Sequence, residues 1–427
     1  MPSAYQLMTT AELDAVIEDL ERAADAIRSE HLSLDMARGK PSPEQTALSR
    51  PMLDVVTSKT ELVDGNGIVD NYGSPDGLSS ARKLAAEILD VDPENVVVRG
   101  SSSLNLMYDL VSNGFVHGIA GGEPWYRQGT IKFLCPAPGY DRHFAVSASF
   151  GIENIPVPMR EDGPDMDVVC ELVENDPQVK GIWCVPKYAN PTGVTYSDEV
   201  VRRFASLKPA APDFRIFWDN AYVVHTFGDE DDQLLNIFDA LEDAGNDNLV
   251  YEFGSTAKVT FPSSGIAFVT ASPADMAEVR AAFAAEFVSA EKFSQFAHAR
   301  YLRDLNGVKE QMAKHAAIVR PRFELVEQKL TEGLGGLGIA TWTHPHGGYF
   351  VSFDGPEGSA KAIVSLMKEL GVILTGAGAT WPYGKDPRDT NIRIAPTFPS
   401  LENLGRALDV FVVAVKLVSA RLERASR

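Results

Sequence analysis

Residues 248–258 read NLVYEFGSTAK. An apolar run stops at a glycine and small polar residues, and a lysine follows. A run of this length bounded by turn residues fits a buried strand. A lysine just past such a strand end faces a crevice rather than open solvent. Its amine is a nucleophile only when neutral, and desolvation favours that form. Taken alone, Lys258 still reads better as an ordinary surface lysine after a strand.

Working outward, the same pattern repeats. ENVVVRG, IKFLCP, GIWCVP, RIFWD and IAFVTAS are short apolar runs between about 94 and 272, and helical stretches such as 102–113, 141–150 and 197–207 separate most of them. Such alternation predicts an α/β fold with a mostly parallel sheet covered on both faces. Ligands in such folds sit at the carboxyl ends of the strands. Beyond a long helical stretch at 308–333 the pattern changes: strands near 340–353, 371–375 and 391–395 mix with helices near 358–370 and 400–424. This predicts a smaller α+β domain. Leu13, Ile17, Leu20 and Ala24 mark an amphipathic helix over 10–30 that packs with it. The expected division is a large domain over 50–320 and a discontinuous small domain over 1–49 and 321–427, with 36–51 as an extended crossing segment.

Each strand end carries polar residues with an ordinary explanation and a chemical one. In FWDNAY, Asp219 is either an N-cap or a carboxylate for a cationic ring nitrogen, and Tyr222 lies one turn on. In NPTG, Asn190 opens a turn or donates an amide hydrogen bond to a phenolic oxygen. In RGSSSLNLMYD, Ser101, Ser102 and Ser103 cap a helix or form an anion site suited to phosphate. Tyr140 in PGYDRH is a core-edge aromatic or a lid on a flat ring. Arg393 in NIRIAP makes a structural ion pair or forks a carboxylate. Singly each is weak. No structural reason makes all of them coincide at strand ends in one chain.

That order resembles the fold type I pyridoxal-phosphate enzymes of the aspartate aminotransferase superfamily over nearly the whole chain. NPTG at 190–193, DNAY at 219–222, the Ser255 and Lys258 pair and Arg393 carry the resemblance, with YGSPDG at 72–77 and ARGKP at 37–41 beside them. GSSSLNLMYD and GSTAKVTFPSSGIAF look most like the MocR-type, class Ic branch. The resemblance implies a PLP transferase fold with a seven-stranded-type sheet. It implies that Lys258 holds pyridoxal phosphate as an aldimine and moves the Cα proton. Asp219 then pairs with the pyridinium nitrogen, Asn190 and Tyr222 with the phenolic oxygen, and Tyr140 stacks on the ring. Ser101, Ser102, Ser103 and Ser255 hold the phosphate, Tyr72 reaches it from the neighbouring subunit of a homodimer, and Arg393 clamps the substrate α-carboxylate. The implied reaction is ping-pong transfer of an amino group from an L-amino acid, aspartate first, to 2-oxoglutarate.

Two positions depart from the family. The cation expected eight residues after Lys258 is Ile266, which leaves Ser263 and Ser264 as local donors. The arginine from the partner subunit that binds the side-chain carboxylate in dicarboxylate-specific relatives has no clear match. Arg38 beside Gly39, Lys292 and Arg300 are the candidates, and each is also an ordinary solvated charge.

Bulk composition narrows the alternatives. Among 427 residues, 39 basic and 59 acidic side chains leave a net charge of −20, which argues against nucleic acid and anionic membranes as partners. Three scattered cysteines show no metal-binding spacing and fit a reducing cytoplasm. The first 30 residues show no signal peptide and cannot hold a winged helix, so a DNA-binding regulator is disfavoured. No 18-residue apolar run predicts a transmembrane helix. No GxGxxG follows the first strand, against a dinucleotide enzyme. Transaminases for alanine or aromatic donors, and a pyridoxal-phosphate β-lyase or decarboxylase, stay open.

Overall fold

The computed structural model describes residues 2–228 and 230–427. A mixed sheet of eight strands forms its centre. In chain order the strands are β1 (Val96–Val98), β2 (Lys132–Ala137), β3 (Glu153–Arg160), β4 (Gly163–Pro164), β5 (Val179–Cys184), β6 (Arg215–Asp219), β7 (Val250–Ser255) and β8 (Ala267–Thr270). Their spatial order is β1-β8-β7-β6-β5-β2-β3-β4. Pairing is parallel from β7 through β6, β5 and β2 to β3, and antiparallel at both flanks. Seven of these strands have three or more residues and β4 adds a two-residue edge, so the expected α/β class and seven-stranded-type sheet are found.

Alternation along each strand builds two cores. Phe133, Trp183, Phe217, Tyr251 and Phe253 pack on one face. Leu134, Ile182, Ile216, Trp218 and Val250 pack on the other. Both faces are covered, which is why these segments read as unbroken apolar runs.

Strand β3 escaped the sequence reading because Pro156 and Pro158 interrupt it. Both are exposed, on a strand whose outer neighbour is only the two-residue β4. Proline is tolerated near a sheet edge because its missing N–H costs no ladder bond there.

Five helices matter for the site: α1 (Thr10–Ser29), α2 (Ser103–His117), α3 (Asp141–Ser149), α4 (Leu305–Leu334) and α5 (Leu401–Ala425). A capping box of Thr9 and Glu12 starts α1. Leu13, Ala24 and Ile27 of α1 share one core with Val319, Leu330, Phe353, Ile394 and Phe411. A three-stranded antiparallel sheet of β9 (Thr341–Trp342), β10 (Val351–Asp354) and β11 (Asn391–Ile394) backs this core. The segment after Met36 is not wholly extended as expected: Ser42 caps a short helix, Pro43–Ala47, with Gln45 completing the capping box.

Among the described residues, no helix is long and apolar enough to cross a membrane, and no cluster of metal-ligating side chains is present.

One buried acid stands out in the large sheet. Glu252 of β7 is 3% exposed and accepts a hydrogen bond from Asn220 Nδ2 at 2.9 Å. Burial pushes its carboxyl up to about 8, against the lowering effect of Asn220. The folded chain therefore keeps this proton to about pH 8, whereas the unfolded chain releases it near the ordinary 4.5. Between those values the unfolded state binds fewer protons, so stability falls as pH rises. Glu252→Gln keeps the acceptor and removes the titration. Its melting temperature relative to the parent is expected to climb by about 2 °C or more between pH 5 and pH 8 in calorimetry. A constant difference across that range refutes the assignment.

Candidate active site

The parallel strands end on one side of the sheet, and the chemistry collects there. A pocket there is lined by Ser102, Ser103, Tyr140, Asn190, Asp219, Tyr222, Ser255 and Lys258 among others. These residues come from separate stretches of chain, each of which the sequence placed beyond a strand.

Lys258 lies in the turn after β7, with Nζ 4.5 Å from the Tyr222 ring centroid. Tyr222 is 3% exposed, and burial pushes its phenol well above the ordinary range, aided by Asp219 and opposed by Arg393. Burial likewise pushes the Tyr140 phenol up to about 12, against the opposing charge of Lys258.

Asp219 closes β6 and is 3% exposed. Its Oδ2 lies 3.0 Å from His143 Nε2, a contact in which the imidazole N–H donates. His143 is itself held by stacking on Trp183, ring centroids 4.7 Å apart and 15° from parallel. The other oxygen, Oδ1, is buried without a hydrogen-bond partner. A buried carboxylate oxygen left bare is costly, so it calls for a donor supplied from the pocket.

The serine loop leads into α2. Ser102 is the N-cap, yet its side chain makes no capping bond and stays free for a ligand. Ser255 Oγ donates to Ser101 O at 2.9 Å and accepts from Ala257 N at 3.0 Å. Ser101 thus contributes its carbonyl to the scaffold and does not line the pocket. Ser102 and Ser103, with the N-terminal end of α2, present donors to the pocket, whereas Ser255 lines it but spends its hydroxyl hydrogen on Ser101.

Arg393 of β11 is half-sandwiched. Its guanidinium lies over the Phe350 ring at 4.8 Å. Nη1 donates to Asn190 Oδ1 at 3.2 Å and to Asp141 Oδ1 at 3.1 Å, and Nη2 donates to Thr375 Oγ1 at 3.3 Å. A Cβ on Gly39 would stand 2.2 Å from Phe350 Cζ, so only glycine lets the 37–41 segment lie on that ring.

Not every expected residue lines this protomer's pocket. Ser263 and Ser264 are exposed and do not line the pocket, so they do not replace the missing cation. Ile266 is 1% exposed and packs in the core, with its backbone bonded to Thr256 in both directions. Lys292 does not line this pocket. Its ammonium, 4% exposed as a residue, donates to the carbonyls of Ile68 at 2.7 Å and Gly73 at 3.3 Å and also to that of Asn71. Those three bonds tie down the loop that carries Tyr72. Tyr72 itself is 78% exposed and stands outside this pocket. Arg38 and Arg300 do not line the pocket either, and Arg300 lies over the Phe296 ring.

His143 and Asp141 were missed. Both stand in the quoted PGYDRH, and the signal was available: a histidine three residues after Tyr140, on the first turn of a helix that follows a strand, faces back over the strand ends.

The family described as Aspartate amino-transferase matches residues 8–426. The aspartate aminotransferase of Corynebacterium glutamicum is 42% identical over 405 residues, covering 94% of this chain and 93% of that protein. The crystal structure of an aspartate transaminase from the same organism covers 99% of both chains, with a TM-score of 0.96 at 41% identity. The α-aminoadipate aminotransferase of Thermus thermophilus, crystallised complexed with N-(5′-phosphopyridoxyl)-L-leucine, shares the fold at a TM-score of 0.73 and 22% identity, covering 90% of this chain and 92% of that one.

Removing the imidazole tests the buttress under Asp219. His143→Phe keeps the stacking on Trp183 but leaves Oδ2 buried without a donor, at an expected cost of about 1–3 kcal/mol in urea unfolding. An unchanged unfolding midpoint excludes the bond as a structural element.

Proposed function

The chain belongs to the aspartate amino-transferase family and is an aminotransferase, and we propose that its donor is L-aspartate, its acceptor 2-oxoglutarate and its cofactor pyridoxal phosphate. The observation that carries the cofactor assignment is the bare, buried Oδ1 of Asp219, in a pocket that also holds Lys258. A protonated ring nitrogen supplies the donor that this oxygen lacks. Ser102 and Ser103 at the start of α2 suit a phosphate, Ser255 braces their loop through the Ser101 carbonyl and can turn its hydroxyl to the phosphate only by giving up that bond, and Tyr140 supplies an aromatic face.

Bound there, the cofactor supplies an electron sink for negative charge at the substrate Cα. The chain does the rest. Asp219, fixed by His143, keeps the ring nitrogen protonated. Asn190 and Tyr222 present an amide and a phenol to the phenolic oxygen. Arg393 holds the α-carboxylate and so aims the Cα–H bond at Lys258. The lysine amine then takes the Cα proton and keeps it for return, a transfer over a short distance between fixed groups. Phosphate charge is balanced by neutral donors and the helix end, since Ile266 is in the core.

We place the chain in the MocR-type, class Ic branch on its GSSSLNLMYD and GSTAKVTFPSSGIAF segments. We also take it to be a cytoplasmic homodimer with shared sites. Exposed Leu53, Ile68, Tyr72, Val288 and Phe293 support that reading, because the Lys292 and Ser289 bonds gather the 68–73 and 288–293 segments on one surface. Such an exposed apolar surface suits a second copy, with Tyr72 reaching its phosphate. The common core of α1 with α4 and α5 supports a small domain built from 1–49 and 321–427 beside a large one over 50–320.

Incubated with L-aspartate and 2-oxoglutarate, the enzyme is expected to yield oxaloacetate and glutamate, above any alanine or aromatic donor in a panel. Alanine and carbon dioxide from aspartate alone point instead to decarboxylase chemistry, and pyruvate and ammonia from a donor with a leaving group on Cβ, such as L-cysteine, point to β-lyase chemistry. Lys258→Ala is expected to lower turnover by about 10²-fold or more. Borohydride reduction followed by digestion should place the pyridoxyl label on the peptide containing Lys258; a label on another lysine sinks the assignment.

A further inference from the structure

Asp141 occupies the place where a substrate carboxylate is needed. It is the first residue of α3, where an acidic side chain ordinarily serves the helix N-terminus. Here its carboxylate instead meets Arg393 Nη1 at 3.1 Å, crossing from the large sheet's helical layer to β11 of the smaller sheet. The arginine side chain is 9% exposed and the aspartate 33%.

The rest of the guanidinium offers no second easy edge. Nε is buried with no partner, Nη2 is bonded to Thr375, and the planar face lies on Phe350. Nη1 commits its hydrogens to Asp141 and Asn190, so a carboxylate that forks Arg393 through Nη1 and Nη2 must displace or share with one of them, and Asp141 is the one that carries a competing charge. Two carboxylates on one nitrogen repel, and the shared donor is stretched between them. Asp141 can leave cheaply, because a third of its side chain already faces solvent.

We propose that Asp141 is an internal stand-in for the substrate α-carboxylate: it neutralises Arg393 in the substrate-free enzyme and is displaced by amino acid and oxo acid alike. Asp141 thereby sets carboxylate affinity for both half-reactions. It favours ligands that bring further contacts over simple anions, which have only the one charge to trade for it. This inference rests on Arg393 as the α-carboxylate site.

The test uses the holoenzyme with Asp141→Asn and Asp141→Ala, the second removing any residual hydrogen bond. Succinate, which lacks the amine, serves as a binding probe by titration calorimetry, beside KM for aspartate and for 2-oxoglutarate. Removing the competing charge is expected to lower the succinate Kd and both KM values by about threefold or more. Unchanged or raised values in both variants overturn the proposal, and raised values mark Asp141 as a residue that merely positions Arg393. Arg393→Lys separates the underlying reading: if it leaves succinate binding and both KM values unchanged, the carboxylate site lies elsewhere. If Arg393→Lys weakens binding while the Asp141 variants do not strengthen it, only the stand-in fails.

Discussion

Parallel pairing of β5, β6 and β7 is the constraint on which the site depends. Phe253 lies opposite Asp219, and Cys184 opposite Trp218. That register brings the NPTG loop, Asp219 and the turn with Lys258 out at one edge. A slip of one residue would turn every side chain to the opposite face, placing Trp218 or Phe253 where its neighbours' partners now pack. Because both faces are filled by aromatic and branched residues, such a slip has nowhere to go. The position of the chemistry is thus a by-product of how tightly the two cores are packed.

The strand ends were legible because burial on both faces leaves continuous apolar runs, and whatever polar residue follows is visible by contrast. Asp219, Asn190, Lys258 and the serine loop stood out for that reason. What the sequence concealed was direction. Lys292 looks in sequence like any basic residue near a site, yet it turns inward to three carbonyls. Ser263 and Ser264 are close to Lys258 in number and are exposed away from the pocket. His143 was hidden because a histidine on a helix gives no sign of the carboxylate it will meet 76 residues later. Pro156 and Pro158 masked β3, since proline reads as a break unless the strand is known to lie near an edge.

Net charge says little about the pocket. An overall −20 coexists with a site that brings together Lys258 and, bonded to the pocket-lining Asn190, Arg393. Each basic group there is set against an aromatic ring, Lys258 over Tyr222 and Arg393 over Phe350, so each is partly shielded from water. Beside a guanidinium shielded in this way, even the one-third-exposed carboxylate of Asp141 is screened less than it would be between two fully exposed surface charges.

The three carbonyl bonds of Lys292 bear on kinetics as well as on shape. A loop that presents an aromatic side chain outward usually has to be ordered when a partner arrives, and that loss of freedom slows docking and weakens it. Here the backbone from Ile68 to Gly73 is already fixed within its own chain. A second copy meeting this face, as in the homodimer proposed above, would therefore encounter a rigid template. Assembly would be closer to the fitting of two finished surfaces than to mutual folding, and separated subunits would keep the shape they need to rejoin.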